Sequence, residues 1–275
     1  MDLPGRASGL LAAWGTAWLA GLAPLDDAVA AVHEVGEEVV VIRGGEPVGL
    51  DRALLRLRAD GVRALEPVLP VAGDARGLPG PGPFTTGAIE AGEGVLSRGA
   101  STRVGLAPEV VEAGTTTDGF TRVLTWHWYD VDPPDVPQTD VLAPPLPDLA
   151  EAEGELRTTL ASCTRALSGL QVARAGPVAE EARRSGRVGG QAARSLPEGY
   201  PPRALDLLAS AEALAHVAAL GLADDGGART LLESDRRTAA LREVATAARR
   251  ARVAAYGWLP AQVLRGAVPD RAGRL

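Results

Sequence analysis

VLPVAGDARGLPGPGPF, Val68–Phe84, is the stretch on which the reading of this chain turns. A strand-like run ends there in a loop that its prolines stiffen and its glycines free. Before it lie short alternating elements; after Asp148 the apolar pattern becomes that of long helices.

Upstream, Glu37 to Arg43 (EEVVVIR) has the β-branched density of a buried strand, and Gly44-Gly45 stops it. Leu54, Leu55 and Leu57 mark a helix from Asp51 to Asp60, and Val62 to Val71 reads as a second strand. Pro67 and Pro70 put that strand at an edge or beside a bulge. Strand, helix, strand suggests a βαβ-like unit with a parallel pair. Further upstream, Ser8 is expected to cap a first helix running to Leu22, with Trp14 and Trp18 on one face. Pro24 opens a second helix, near whose end His33 is expected as an ordinary dipole-favoured residue. The run Leu10 to Leu25 is too short to span a bilayer and has the pattern of a packing helix rather than a cleaved signal.

Downstream, Phe84 to Gly92 fits a short helix capped by Thr85 or Thr86, or a strand. Gly94 to Arg98 and Thr102 to Leu106 suggest a hairpin, and Gly119 to Asp130 is the clearest long strand. In it Leu124, Trp126 and Trp128 share one face and Val123, His127 and Tyr129 the other. Residues 133–147 hold six prolines, which bar them from a sheet interior and define a strap or linker. Asp130, Asp132, Asp135 and Asp140 lack the glycine and terminal glutamate of a calcium loop. Beyond it Leu149, Leu156, Leu160, Cys163, Leu167 and Leu170 form one helical stripe, and further helices are expected from Arg203 to Leu222 and up to Tyr256. The expected architecture is α+β (or α/β). A mixed N-terminal sheet with short helices occupies residues 1–132, the strap residues 133–147, and a three-helix bundle residues 148–275.

Composition excludes several chemistries. The 275 residues include no lysine and no asparagine, so neither a P-loop lysine nor a Schiff base can form. One cysteine and three histidines, widely spaced, argue against a metal site, and the single Cys163 suits a small buried apolar residue. Cysteine use and the lack of an export signal point to the cytoplasm. The net charge of -7 is uneven: residues 1–150 carry 10 arginines against 21 acids, residues 151–275 carry 18 against 14. The two parts therefore attract each other or different partners.

Candidate ligand-binding residues are Asp74 and Arg76, two apart in the opening loop, and His127. Pro79, Pro81 and Pro83 remove the amide donors a phosphate cradle needs. Candidate partner-surface residues are Trp126 and Trp128 on the long strand, and Arg249 and Arg250 on the last helix. The interleaved Glu233, Asp235 and Glu243 make that helix a solvated face rather than a nucleic-acid reader. No combination of nucleophile, base and metal stands out and no cofactor is implied. The expectation is a non-enzymatic binding or adaptor protein with a protein partner or a homo-oligomer, and no membrane. A small-ligand site or enzyme at the Gly73–Phe84 loop, and nucleic-acid binding by the last helix, are the alternatives.

The runs LPVAGDARGLPGPGPF, LLAAWGTAWLAG and LPEGYPPRALDLLASAE resemble those of a family of high-GC actinobacterial proteins without assigned function. The resemblance spans most of the chain. It implies a bacterial cytoplasmic protein and brings no catalytic residues with it.

Overall fold

A computed structural model describes residues 4–99, 103–115, 119–131, 148–168, 186–223 and 231–268. The proline-rich strap lies outside them. The chain divides into two compact units, one of Asp2–Leu146, Leu196–Gly199 and Tyr256–Leu275, the other of Pro147–Ser195 and Tyr200–Ala255 together with Met1.

The first unit is α+β. It contains α1 (Arg6–Leu19), α2 (Leu25–His33), β1 (Glu38–Arg43), β2 (Glu46–Gly49), α3 (Leu50–Ala59), β3 (Ala64–Val68), α4 (Pro83–Ala91), β4 (Gly94–Arg98), β5 (Arg103–Thr115) and β6 (Gly119–Val131). The six strands form one mixed sheet in the order β2-β1-β6-β5-β4-β3. The expected βαβ unit is not there: β1 and β3 lie far apart in the sheet, and the parallel neighbour of β1 is β6. Gly44 and Gly45, both at positive φ, end β1 at Arg43 and turn the chain back into the antiparallel β2.

Alternation along the strands fills both faces. Val39, Val41, Leu65, Val95, Leu106, Leu124, Trp126 and Trp128 meet Leu11, Trp18, Val32, Leu54 and Leu57 of α1, α2 and α3 on one side. On the other, Val68, Leu96, Ala107 and Val131 meet Phe84 and Ala88 of α4. Helix α1 starts after Gly5, so Ser8 lies inside its first turn rather than at its cap. There Glu93, arriving from the loop before β4, accepts the Ser8 backbone N–H at 2.8 Å. A remote carboxylate thus does the work of an N-cap. Helix α4 resolves the ambiguity at Phe84: Pro83 opens it, and Thr85 and Thr86 turn back to the carbonyls of Gly80 and Gly82 rather than capping it. Residues Trp258–Leu264 form α9, which packs against α1 and β3, and the Tyr256 ring lies where a Cβ on Gly9 would be, 2.6 Å away.

The second unit is helical: α5 (Leu149–Ser168), α6 (residues 186–194), α7 (Pro202–Ala223) and α8 (Leu231–Tyr256). Cys163, Ala218, Ala240 and Val244 form a core of small side chains. Close approach recurs: a Cβ on Gly189 of α6 would stand 2.0 Å from the Ala209 carbonyl of α7. By length and mean hydropathy (1.5 over its most apolar window) α7 could cross a membrane. Its buried Glu212, however, accepts from Arg252 Nε of α8 at 2.8 Å, the arrangement of a bundle helix.

Candidate functional site

The longest pairing in the sheet joins β5 and β6, an antiparallel hairpin in unbroken register from Arg103↔Val131 to Thr115↔Gly119. Its two faces differ. Leu106, Pro108 and Val110 pair with Trp128, Trp126 and Leu124 on the helix-covered side. Ala107, Glu109 and Val111 pair with His127, Thr125 and Val123 on the side of α4.

The neighbours of this hairpin are shorter than it is. Among the described residues strand β4 pairs with β5 at Gly105 and Leu106. The Val104 N–H points towards β4, donating to Ser97 Oγ at 2.7 Å. Main-chain groups alternate direction along a strand, so Val104, Leu106, Pro108 and Val110 present theirs outward and their odd neighbours face β6. Pro108 therefore costs the hairpin no hydrogen bond, since its missing N–H falls on the outer edge. Past it, Val110 and Val111 are 45 % and 44 % exposed, on opposite faces of the same strand.

The two edge strands of the sheet, β2 and β3, are short and each carries a proline. Strand β2 has four residues, including Pro47. Strand β3 carries Pro67, and Thr16 of α1 occupies its outer main chain: Leu65 N–H donates to Thr16 Oγ1 at 2.9 Å and Thr16 Oγ1 donates to the Leu65 carbonyl at 3.4 Å.

His127 and Glu109 meet across the hairpin, Nε2 to Oε2 at 2.9 Å, with side chains 36 % and 60 % exposed. Glu109 comes from the neighbouring strand, so no spacing within β6 reveals it as the partner of His127. Strand β5 extends well beyond the expected hairpin. Tyr129, two residues on, stacks obliquely against Phe84 at 6.2 Å. Burial, then the carboxylates of Glu90 and Glu109, push its hydroxyl pKa above the usual value.

Asp74 and Arg76 form their own pair at 3.3 Å, and Asp74 Oδ1 also accepts the Arg76 backbone N–H at 3.4 Å. Reciprocal main-chain bonds between Val71 and Asp74, at 3.1 and 2.9 Å, close the turn, and the buried Leu78 anchors the loop beside Val68. His127 engages Glu109 and neither loop residue. Trp126 and Trp128, expected at a partner surface, are core residues: Trp126 is fully buried and Trp128 is 9 % exposed, because α1, α2 and α3 cover their face. Trp128 Nε1 donates to Asp130 Oδ1 at 3.0 Å, and the Arg43 guanidinium lies 5.1 Å from its ring. Arg249 is half-buried, and Arg250 pairs with Glu155 of α5. Among the described residues no group of three His, Cys, Asp or Glu side chains is placed to hold a metal.

A cleft of about 220 Å³ lies between Leu19, Arg58, Val62, Arg63, Val263 and Val268. Its two arginines have structural work. Arg58 stacks over Trp18 at 5.1 Å, and Arg63 Nη2 donates to the Val263 carbonyl at the end of α9 at 3.3 Å.

The profile of the Rv1486c-like protein, N-terminal domain, matches residues 8–141, and that of the Rv1486c-like protein, C-terminal domain, residues 150–253. The chain belongs to the Rv1486c-like family. It is 30 % identical to the uncharacterized protein Rv1486c of Mycobacterium tuberculosis strain H37Rv, across 94 % of this chain and 98 % of that one. The uncharacterized protein MT1533 of strain CDC 1551 is similar to the same extent. No solved structure matches this Rv1486c-like chain. The resemblance to an uncharacterised actinobacterial family is thereby confirmed.

Proposed function

We propose that this chain is a non-enzymatic, cytoplasmic protein-binding or adaptor protein that engages a protein partner through the β5–β6 hairpin. One observation carries the reading: among the described residues β5 runs on past β4 with no strand paired to its outer side from Val110, and it exposes two adjacent valines on opposite faces. Exposed apolar groups beside outward-facing main-chain groups favour association.

The polar candidates support a chemical role less well. Asp74 and Arg76 satisfy each other across a closed turn, and the His127–Glu109 contact is open to water, where such pairs contribute about 0–1 kcal/mol. A photo-crosslinking residue at position 111, compared in the native cell with one at exposed Leu22, tests the reading. A discrete heterologous adduct at 111 alone is expected. A partner-free monomer over a wide concentration range, with equal labelling at both positions, overturns it.

A further inference from the structure

Building on that reading, we infer that the occupant of the hairpin edge is an extended segment of the partner, rich in basic side chains, added to the sheet as a strand beside β5. Strand addition takes its affinity from main-chain hydrogen bonds along an open edge and its selectivity from alternate side chains. The alternation set by the Val104–Ser97 bond makes Val110 the first residue past Pro108 able to offer both an N–H and a carbonyl outward. The two edge strands are short and carry Pro47 and Pro67, and Thr16 takes up main-chain groups of β3, whereas β5 continues for several residues past β4.

Charge selects the partner. Residues 1–150 hold 21 acids against 10 arginines. At the edge itself the strand reads P-E-V-V-E from Pro108 to Glu112, and Glu109 is well exposed. Glu38 stands on the same sheet face as Glu109, its register partner Val123 lying between it and Val111. A strand beside β5 places alternate side chains next to Glu109 and Val111 on one face and next to Val110 on the other. Arginine or lysine alternating with β-branched residues is the complement. A second copy of this chain is a poorer occupant, since edge-to-edge pairing centred on Val110 brings together two stretches from Pro108 to Glu112 that each carry Glu109 and Glu112 and no cation.

The full-length chain is titrated against two labelled octapeptides, one alternating arginine with valine and the other glutamate with valine, by fluorescence anisotropy. The arginine peptide is expected to bind and to weaken with added salt, the glutamate peptide not to bind. Val110→Pro removes the outward N–H without touching the β6 ladder and is expected to weaken binding about tenfold. Its fold is checked by tryptophan fluorescence. Glu109→Arg with Glu112→Arg, which needs no proline, is expected to abolish the preference for the arginine peptide. Equal binding of the two peptides, unchanged affinity in both variants, or no binding at all overturns the inference. Adducts at position 111 that survive Val110→Pro also overturn strand addition while leaving the protein-binding reading in place. A dimer in sedimentation that Val110→Pro dissociates replaces the basic segment with a second copy.

Discussion

Replacing Glu93 by alanine tests how the first unit is assembled. Glu93 is 8 % exposed, and its Oε2 accepts the Ser8 N–H at 2.8 Å in the first turn of α1, a helix buried along nearly its whole length. Truncation leaves that buried N–H without its partner, at a cost of about 1–3 kcal/mol. It also withdraws a carboxylate from the positive end of the helix, worth about 0.3–1 kcal/mol. The two together give about 1–4 kcal/mol, a sizeable part of the roughly 5–15 kcal/mol that holds an ordinary domain folded. All five tryptophans, Trp14, Trp18, Trp126, Trp128 and Trp258, belong to this unit, so tryptophan fluorescence in urea follows it without the helical unit. With a slope of about 2 kcal/mol per molar urea, the midpoint of Glu93→Ala is expected to fall by about 0.5–2 M. Glu93→Gln keeps an acceptor and is expected to lose roughly half as much. A midpoint for Glu93→Ala within about 0.2 M of the parent would refute the claim that this carboxylate anchors α1.

Gly105→Ala is expected to destabilise the same unit by about 1–3 kcal/mol in that assay, because the new Cβ would stand 2.2 Å from the Phe84 ring and force it off the sheet. In the helical unit, Arg252→Met removes the guanidinium that pairs with buried Glu212 and is expected to cost about 3–5 kcal/mol by far-ultraviolet circular dichroism. Glu212→Leu combined with Arg252→Met is expected to recover most of that loss. Burial first, then Glu90 and Glu109, hold the Tyr129 proton more tightly in the folded state than in the unfolded chain. The unfolded state therefore loses that proton first, and this contribution to stability, complete below pH 10.0, is expected to decline as pH rises further. Tyr129→Phe should flatten that alkaline decline in fluorescence-monitored urea midpoints. Cys163, whose thiol pKa burial and then Glu243 raise, is expected to resist iodoacetamide at pH 8 until the helical unit unfolds.

Local pattern carried much of this fold. The β-branched run at β1, Leu54 and Leu57 of α3, the face shared by Leu124, Trp126 and Trp128, and Leu156 with Cys163 in the first long helical stripe each follow from one segment's own periodicity, whereas Leu55 and Leu160 of those patterns are exposed. So does the position of β3 at a sheet edge, which Pro67 requires. Periodicity says which side chains turn inward together, but not what covers them. It identified the tryptophan face and mistook it for a partner surface, because the three helices that bury it are supplied by residues about 65 to 120 positions earlier.

The features that bear on function lay between segments. Glu109 meets His127 only because β5 and β6 pair in one register, and Glu93 reaches Ser8 across 85 residues. Neither is visible as a spacing. The parallel pairing of β1 with β6 joins two segments distant in sequence, and neither segment's own pattern specifies it. The sequence by itself determined the element types, the acidic and basic halves and the chemistries that are absent, since these rest on local propensity and on composition. Tertiary structure alone decided that β5 outruns β4 and leaves Val110 with main-chain groups facing outward. An edge is open or closed only relative to the strand beside it.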